Sequence, residues 1–110
     1  MQGRHIMKKI TMTEILDDLR VADEITRRYE RLYWLSSEDF YTLYQQGLLD
    51  DGEHTDEFAE WSAYYQIKLD REATMRQLSQ ERLRRLKAKQ GKKFIEIDPR
   101  EPAITMSPGA

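Results

Sequence analysis

Few residues in this sequence are equipped to make or break bonds. His54 stands among Asp50, Asp51 and Asp56, while the second histidine, His5, falls in a leader segment. A calcium loop would need alternating carboxylates, a central glycine and a terminal glutamate, and a zinc pair on a helix a second histidine four residues on. None of these is present, so no metal is expected. Nucleophilic catalysis lacks its base, because there is no cysteine and no histidine in a recognisable arrangement with a serine. Asp50 and Asp51 lie in a turn, where water leaves them ordinary acids. No glycine-rich phosphate loop occurs. The expectation is a protein that is not an enzyme and carries no cofactor.

The chemistry left is that of binding. Positions 32–67 contain no lysine or arginine but eight carboxylates: Glu38, Asp39, Asp50, Asp51, Glu53, Asp56, Glu57 and Glu60. The same window holds nine of the chain's eleven aromatics: Tyr33, Trp34, Phe40, Tyr41, Tyr44, Phe58, Trp61, Tyr64 and Tyr65. Rings supply contact area at little entropic cost and negative charge steers a basic partner inward. Burial preference favours the core for any one ring. The expected docking face comprises Asp50, Asp51, Glu53, Asp56, Glu57 and Glu60, with Tyr33, Trp34, Tyr41 and Tyr64 as anchors where they face outward.

These residues need elements to position them. The chain has 110 residues, enough for one domain, with 35% charged and 39% hydrophobic residues and a mean hydropathy of -0.82. Such a polar chain points to an elongated helical molecule or to one completed by a partner. The net charge of -2 averages a basic first third, an acidic middle and a basic final helix. The absence of cysteine and of any apolar run approaching about 18 residues suggests a soluble, cytoplasmic protein with no membrane partner.

Residues 1–10 read as a leader outside the fold, disordered or not native, with Met7-Lys8-Lys9 as a natural beginning. A helical domain is expected over 11–91. Thr11 and Glu14 form a capping box, and Ile15, Leu19, Ala22, Ile25, Tyr29 and Leu32 make one stripe on a helix reaching about Trp34. Ser36 with Asp39 caps a short helix through Gln46, stopped by Gly47. Leu48-Leu49 should tuck beneath the helices, Asp51-Gly52 reverses the chain, and Thr55 caps a third helix. Phe58, Trp61, Tyr65 and Leu69 give that helix a buried face, which thins through Ala73, Leu78, Leu83 and Leu86. Unbroken from Asp56 to about Gln90, it would be about 50 Å long. The expected fold is all-α, long–short–long, with the core built from the first helix plus Phe40, Tyr44, Phe58, Trp61 and Tyr65. Residues 92–110 form an extended, proline-containing tail, disordered when free. Within it, Phe94, Ile95 and Ile97 suit addition to a partner's sheet edge.

The end of the third helix offers an alternative function. Arg82, Arg84, Arg85, Lys87, Lys89, Lys92 and Lys93 face the single acid Glu81 and could neutralise phosphates, although no aromatic or helix-turn-helix pattern accompanies them. A further alternative is a homo-oligomer, such as a homodimer, that buries the thin half of this helix against its own copy.

Several stretches resemble a known group. Arg28-Tyr29-Glu30 through Trp34, then Ser36-Ser37-Glu38-Asp39-Phe40-Tyr41, Leu43-Tyr44, Gly47-Leu48-Leu49-Asp50-Asp51 and Phe58-Ala59-Glu60-Trp61, are similar to small helical antitoxins encoded beside toxin genes in bacteria and archaea. The resemblance covers about residues 15 to 70. It departs at Leu32-Tyr33-Trp34-Leu35, which is bulkier than the small link expected there. It implies a protein that binds and neutralises a cognate toxin, often a ribonuclease.

Overall fold

A computed structural model describes residues 10–88 and 94–99. The protein is all-α, in the long–short–long order read from the sequence: α1 (Met12–Tyr33), α2 (Ser37–Gln45) and α3 (Thr55–Lys87). Residues 1–9, 89–93 and 100–110 lie outside the described residues, and with them Lys89, Lys92 and Lys93. Ile10, placed by the sequence reading in a leader outside the fold, is instead buried, its apolar side chain packed with Ile15 and Leu78.

Local chemistry sets the helix ends. Glu14 N–H donates to Thr11 Oγ1 and Thr11 N–H donates to the Glu14 carboxylate, so α1 starts on the expected capping box. Ser36 Oγ accepts from Asp39 N–H at the start of α2. At the end of α2, Gly47 adopts φ 72°. Its N–H reaches the Tyr44 carbonyl while Leu48 N–H reaches back to Leu43, the paired bonds of a left-handed helix stop.

The start of α3 differs from expectation. His54, not Thr55, occupies the cap position, and its side chain makes no capping bond. Instead Asp51 Oδ1 accepts the N–H groups of Glu53 and His54 at 2.9 and 3.0 Å, closing the turn just before the helix. That turn holds the preceding amides and moves the cap back by one residue.

α1 and α3 form an antiparallel hairpin. Partners advance along α1 as they retreat along α3: Asp18 pairs with Arg71, Asp23 with Lys68, Tyr29 with Glu60 and Tyr33 with Glu57. Two cores lie on this seam. The aromatic core contains Tyr29, Phe40, Phe58 and Trp61, backed by Ile25, Tyr33, Leu35, Tyr41 and Leu49. The aliphatic core contains Ile10, Ile15 and Leu78, backed by Met12, Leu19 and Met75.

Between them, small or polar residues (Ala22, Thr26, Ser62 and Thr74) are buried. Thr26 and Thr74 return their hydroxyls to carbonyls one turn back, so burial leaves neither unpaired. Lys68 and Arg71 lay their stems across this waist, their side chains only 18% and 20% exposed.

This waist corrects the sequence reading of α3. Leu69 is exposed and Ala73 faces outward, because the seam continues through Lys68, Arg71 and Thr74 instead. Leu32 is likewise exposed, since the stripe on α1 steps from Tyr29 to Tyr33. Of the expected core rings, Phe40, Phe58 and Trp61 are buried, Tyr65 is half-buried and Tyr44 lies at the rim. Leu49 packs on the aromatic core but Leu48 is exposed, because the left-handed turn at Gly47 directs consecutive residues to opposite sides. Past Leu78, α3 buries no residue through Lys87, and Leu83 is exposed. This projection of nine residues runs about 13 Å at the usual rise per residue.

Candidate functional site

The acidic aromatic window folds into one end of the hairpin. Trp61 organises it, stacking on Phe40 at 3.8 Å between centroids with 5° between planes. Its indole N–H donates 2.8 Å to Ser37 Oγ, which pins α2 to α3. Glu30 ties α1 to the same point, accepting Ser37 N–H at 2.9 Å. Partial burial raises the Glu30 pKa, but the bonds from Ser37 and Arg27 outweigh it and hold the carboxyl below its ordinary value.

Two of the four expected anchors, Tyr33 and Tyr41, pack against this core. Tyr33 stacks on Trp61, meets Phe58 edge-on and donates to Glu57 at 3.2 Å. Burial, then the Glu57 charge, raises its pKa. Tyr41 packs on Tyr65 with centroids 5.3 Å apart, and Tyr64 is half-buried on α3. Trp34 is different. It is 91% exposed and ends α1 in the left-handed region at φ 54°.

The carboxylates divide in the same way. Glu60 accepts from the Tyr29 hydroxyl and lies 3.6 Å from Arg28, which also covers the Tyr29 ring. Burial and then the Glu60 bond raise the Tyr29 pKa. Glu57 is taken by Tyr33 and Asp51 by His54 Nδ1 at 2.7 Å. The His54 bond, with the two amides, draws Asp51 down to about 2, and the same bond raises the His54 pKa. The His54 ring stacks on Phe58, with centroids 5.3 Å apart. Glu38, Asp39, Asp50, Glu53 and Asp56 remain exposed, with no side-chain ion pair among the described residues.

An open groove lies between the end of α2 and the start of α3. It measures about 410 Å³ and is lined by Tyr44, Gly47, Leu49, Asp50, Thr55 and Phe58. Sequence reasoning did not find it. Its only advance signal was the turn between two aromatic helices, and turn residues do not state how far apart the helix ends will stand.

Of the described basic residues at the end of α3, the three arginines Arg82, Arg84 and Arg85 are engaged locally. Arg84 and Arg85 both bind Glu81, whose carboxyl they hold below its ordinary value. Arg82 donates 2.7 Å to the Asp98 carbonyl, joining the exposed strip of Phe94, Ile95 and Ile97 to α3. Lys87 is exposed.

Among the described residues, no group of three His, Cys, Asp or Glu side chains is placed to hold a metal ion, and no helix is long and apolar enough to cross a membrane. Comparison of the chain with known protein families, curated proteins and solved structures finds no match.

Proposed function

We propose that the chain is a non-enzymatic, antitoxin-like binding module whose acidic end masks a basic protein partner, a ribonuclease toxin being the example the resemblance suggests. One observation carries the reading: Trp34, 91% exposed at φ 54°. A left-handed helix stop favours glycine by about 1 kcal/mol, and a bulky ring there is an outlier. Leaving an indole in water forgoes the stabilisation that burial would bring. Among the described residues neither core cluster includes Trp34, whereas a tryptophan anchor at an interface would offset both costs. Exposed Leu32 and Leu48 lie at the same end, with Asp50, Glu53 and Asp56 to draw a basic surface inward. Phe94, Ile95 and Ile97 offer a second, apolar contact at the opposite end.

The test is calorimetric titration with the product of the neighbouring gene. Trp34→Gly should raise thermal stability by about 0.5–1 kcal/mol and weaken association by about 2 kcal/mol or more. A variant that is more stable and binds equally well overturns the reading. Nucleic-acid binding through Arg82, Arg84, Arg85 and Lys87 is the weaker proposal, because Glu81 already neutralises part of that charge. It predicts affinity falling steeply with salt and lost when Arg84, Arg85 and Lys87 become Ala.

A further inference from the structure

We propose that the groove between α2 and α3 receives a single arginine side chain of the partner. The inference deepens the reading of a basic partner and rests on it. The groove's walls are aromatic: Tyr44 and Phe58 each pack 5.5 Å from the buried Phe40 ring and line the space, with Leu49 beside them. Asp50 is exposed at its edge. A cation on an apolar stem fits rings beside a carboxylate. Of the residues that line the groove, Asp50 carries the charge, so an anion would meet like charge there. A neutral apolar side chain would desolvate Asp50 without pairing it.

Helix electrostatics point the same way. The C-terminal end of α2, where carbonyls concentrate negative potential, opens here, and its last turn contains no basic residue. Asp56 and Glu57 in the first turn of α3 offset the opposite potential of that helix. At Gly47 a side chain is absent and an added Cβ would meet nothing within 4 Å, so the approach on that side is open. Arginine suits the site better than lysine. Its planar guanidinium stacks on ring faces and grips a carboxylate with two parallel hydrogen bonds, and it sheds water more readily than an ammonium.

The full chain, labelled with nitrogen-15, would be titrated with N-acetyl-arginine methylamide, its lysine counterpart and the uncharged citrulline isostere. Saturable amide shifts should gather at Tyr44, Gly47, Leu49, Asp50 and Thr55. Lysine should bind more weakly and citrulline should produce no saturation. Asp50→Asn should weaken arginine binding about tenfold or more, while Asp17→Asn, exposed on α1, should leave it unchanged. Shifts spread evenly over Glu38, Asp39, Glu53 and Asp56, or an equal response to citrulline, would overturn the proposal. So would shifts at the groove amides that grow with protein concentration alone, which would make a second copy's basic end the occupant. The two readings separate cleanly. A partner that binds wild type and Asp50→Asn equally removes the arginine site and leaves the module standing. Arginine binding in the groove without any basic protein partner does the reverse.

Discussion

The two ends of the α1–α3 hairpin are held by different physics. At the aromatic end, rings from three helices stack within a few ångströms, and buried polar contacts from Ser37 and Glu30 fix each element's position. At the aliphatic end, Ile10, Ile15 and Leu78 form a small core with half-buried methionines and no α2 to cap it. Directional contacts make the first end a rigid platform. Non-directional burial at the second sets stability without setting orientation to the same degree. Trp34 and the α2–α3 groove both lie on the rigid end, where a docking surface loses least on ordering.

Substitutions can break this contrast. Trp61→Ala removes the central ring and its indole bond to the Ser37 hydroxyl, and should cost about 3–5 kcal/mol, a large part of a typical domain's stability. Leu78→Ala should cost less, about 2–3 kcal/mol, because its half-buried neighbours can collapse onto the space. Urea denaturation of both variants measures the difference. A Leu78 loss equal to that of Trp61 would remove the asymmetry.

A smaller effect tests the pin itself. Ser37→Ala leaves the indole N–H buried without an acceptor and should cost about 1–3 kcal/mol, read from the same denaturation midpoints. The waist between the ends should respond less. Arg71→Met keeps the stem but loses Asp18, and with Asp18 43% exposed the cost should stay under about 1 kcal/mol. That cost should shrink further in molar salt; a salt-independent loss would mean that packing dominates there.

The smallest effect belongs to pH. His54 has a folded pKa above its ordinary 6.5 because it bonds to Asp51. Its contribution is therefore full below pH 6.5 and fades as pH rises through the folded value. Asp51, lowered from 3.8 to about 2, contributes above 3.8 and fades as pH falls toward 2. Proton NMR titration of the His54 ring should give a midpoint above 6.5, returned to the ordinary value by Asp51→Asn. An unshifted midpoint in the wild type would dissolve the pair.

Much of the fold was legible because it is local. The Thr11–Glu14 box, the Ser36 cap and the Gly47 stop each join groups a few residues apart, so residue type and spacing suffice. The long–short–long order followed from them. The site was less legible. Tyr33 and Trp34 are neighbours of similar character, yet one stacks inside and the other is nearly free in water. The seam of α3 was misplaced at Leu69 and Ala73 because an apolar pattern cannot register Lys68 and Arg71 lying across a core by their stems.

The sequence by itself determined where α1 and α2 begin and end and that acids and rings share one stretch without basic residues, since both follow from contacts within a turn or from composition. Only the tertiary structure decided which rings face inward, which carboxylates are already paired and that a groove opens beside Asp50. Those outcomes depend on the rotation of α1 against α3. A helix turns about 100° per residue, so a small change in that rotation exchanges one neighbour for the next.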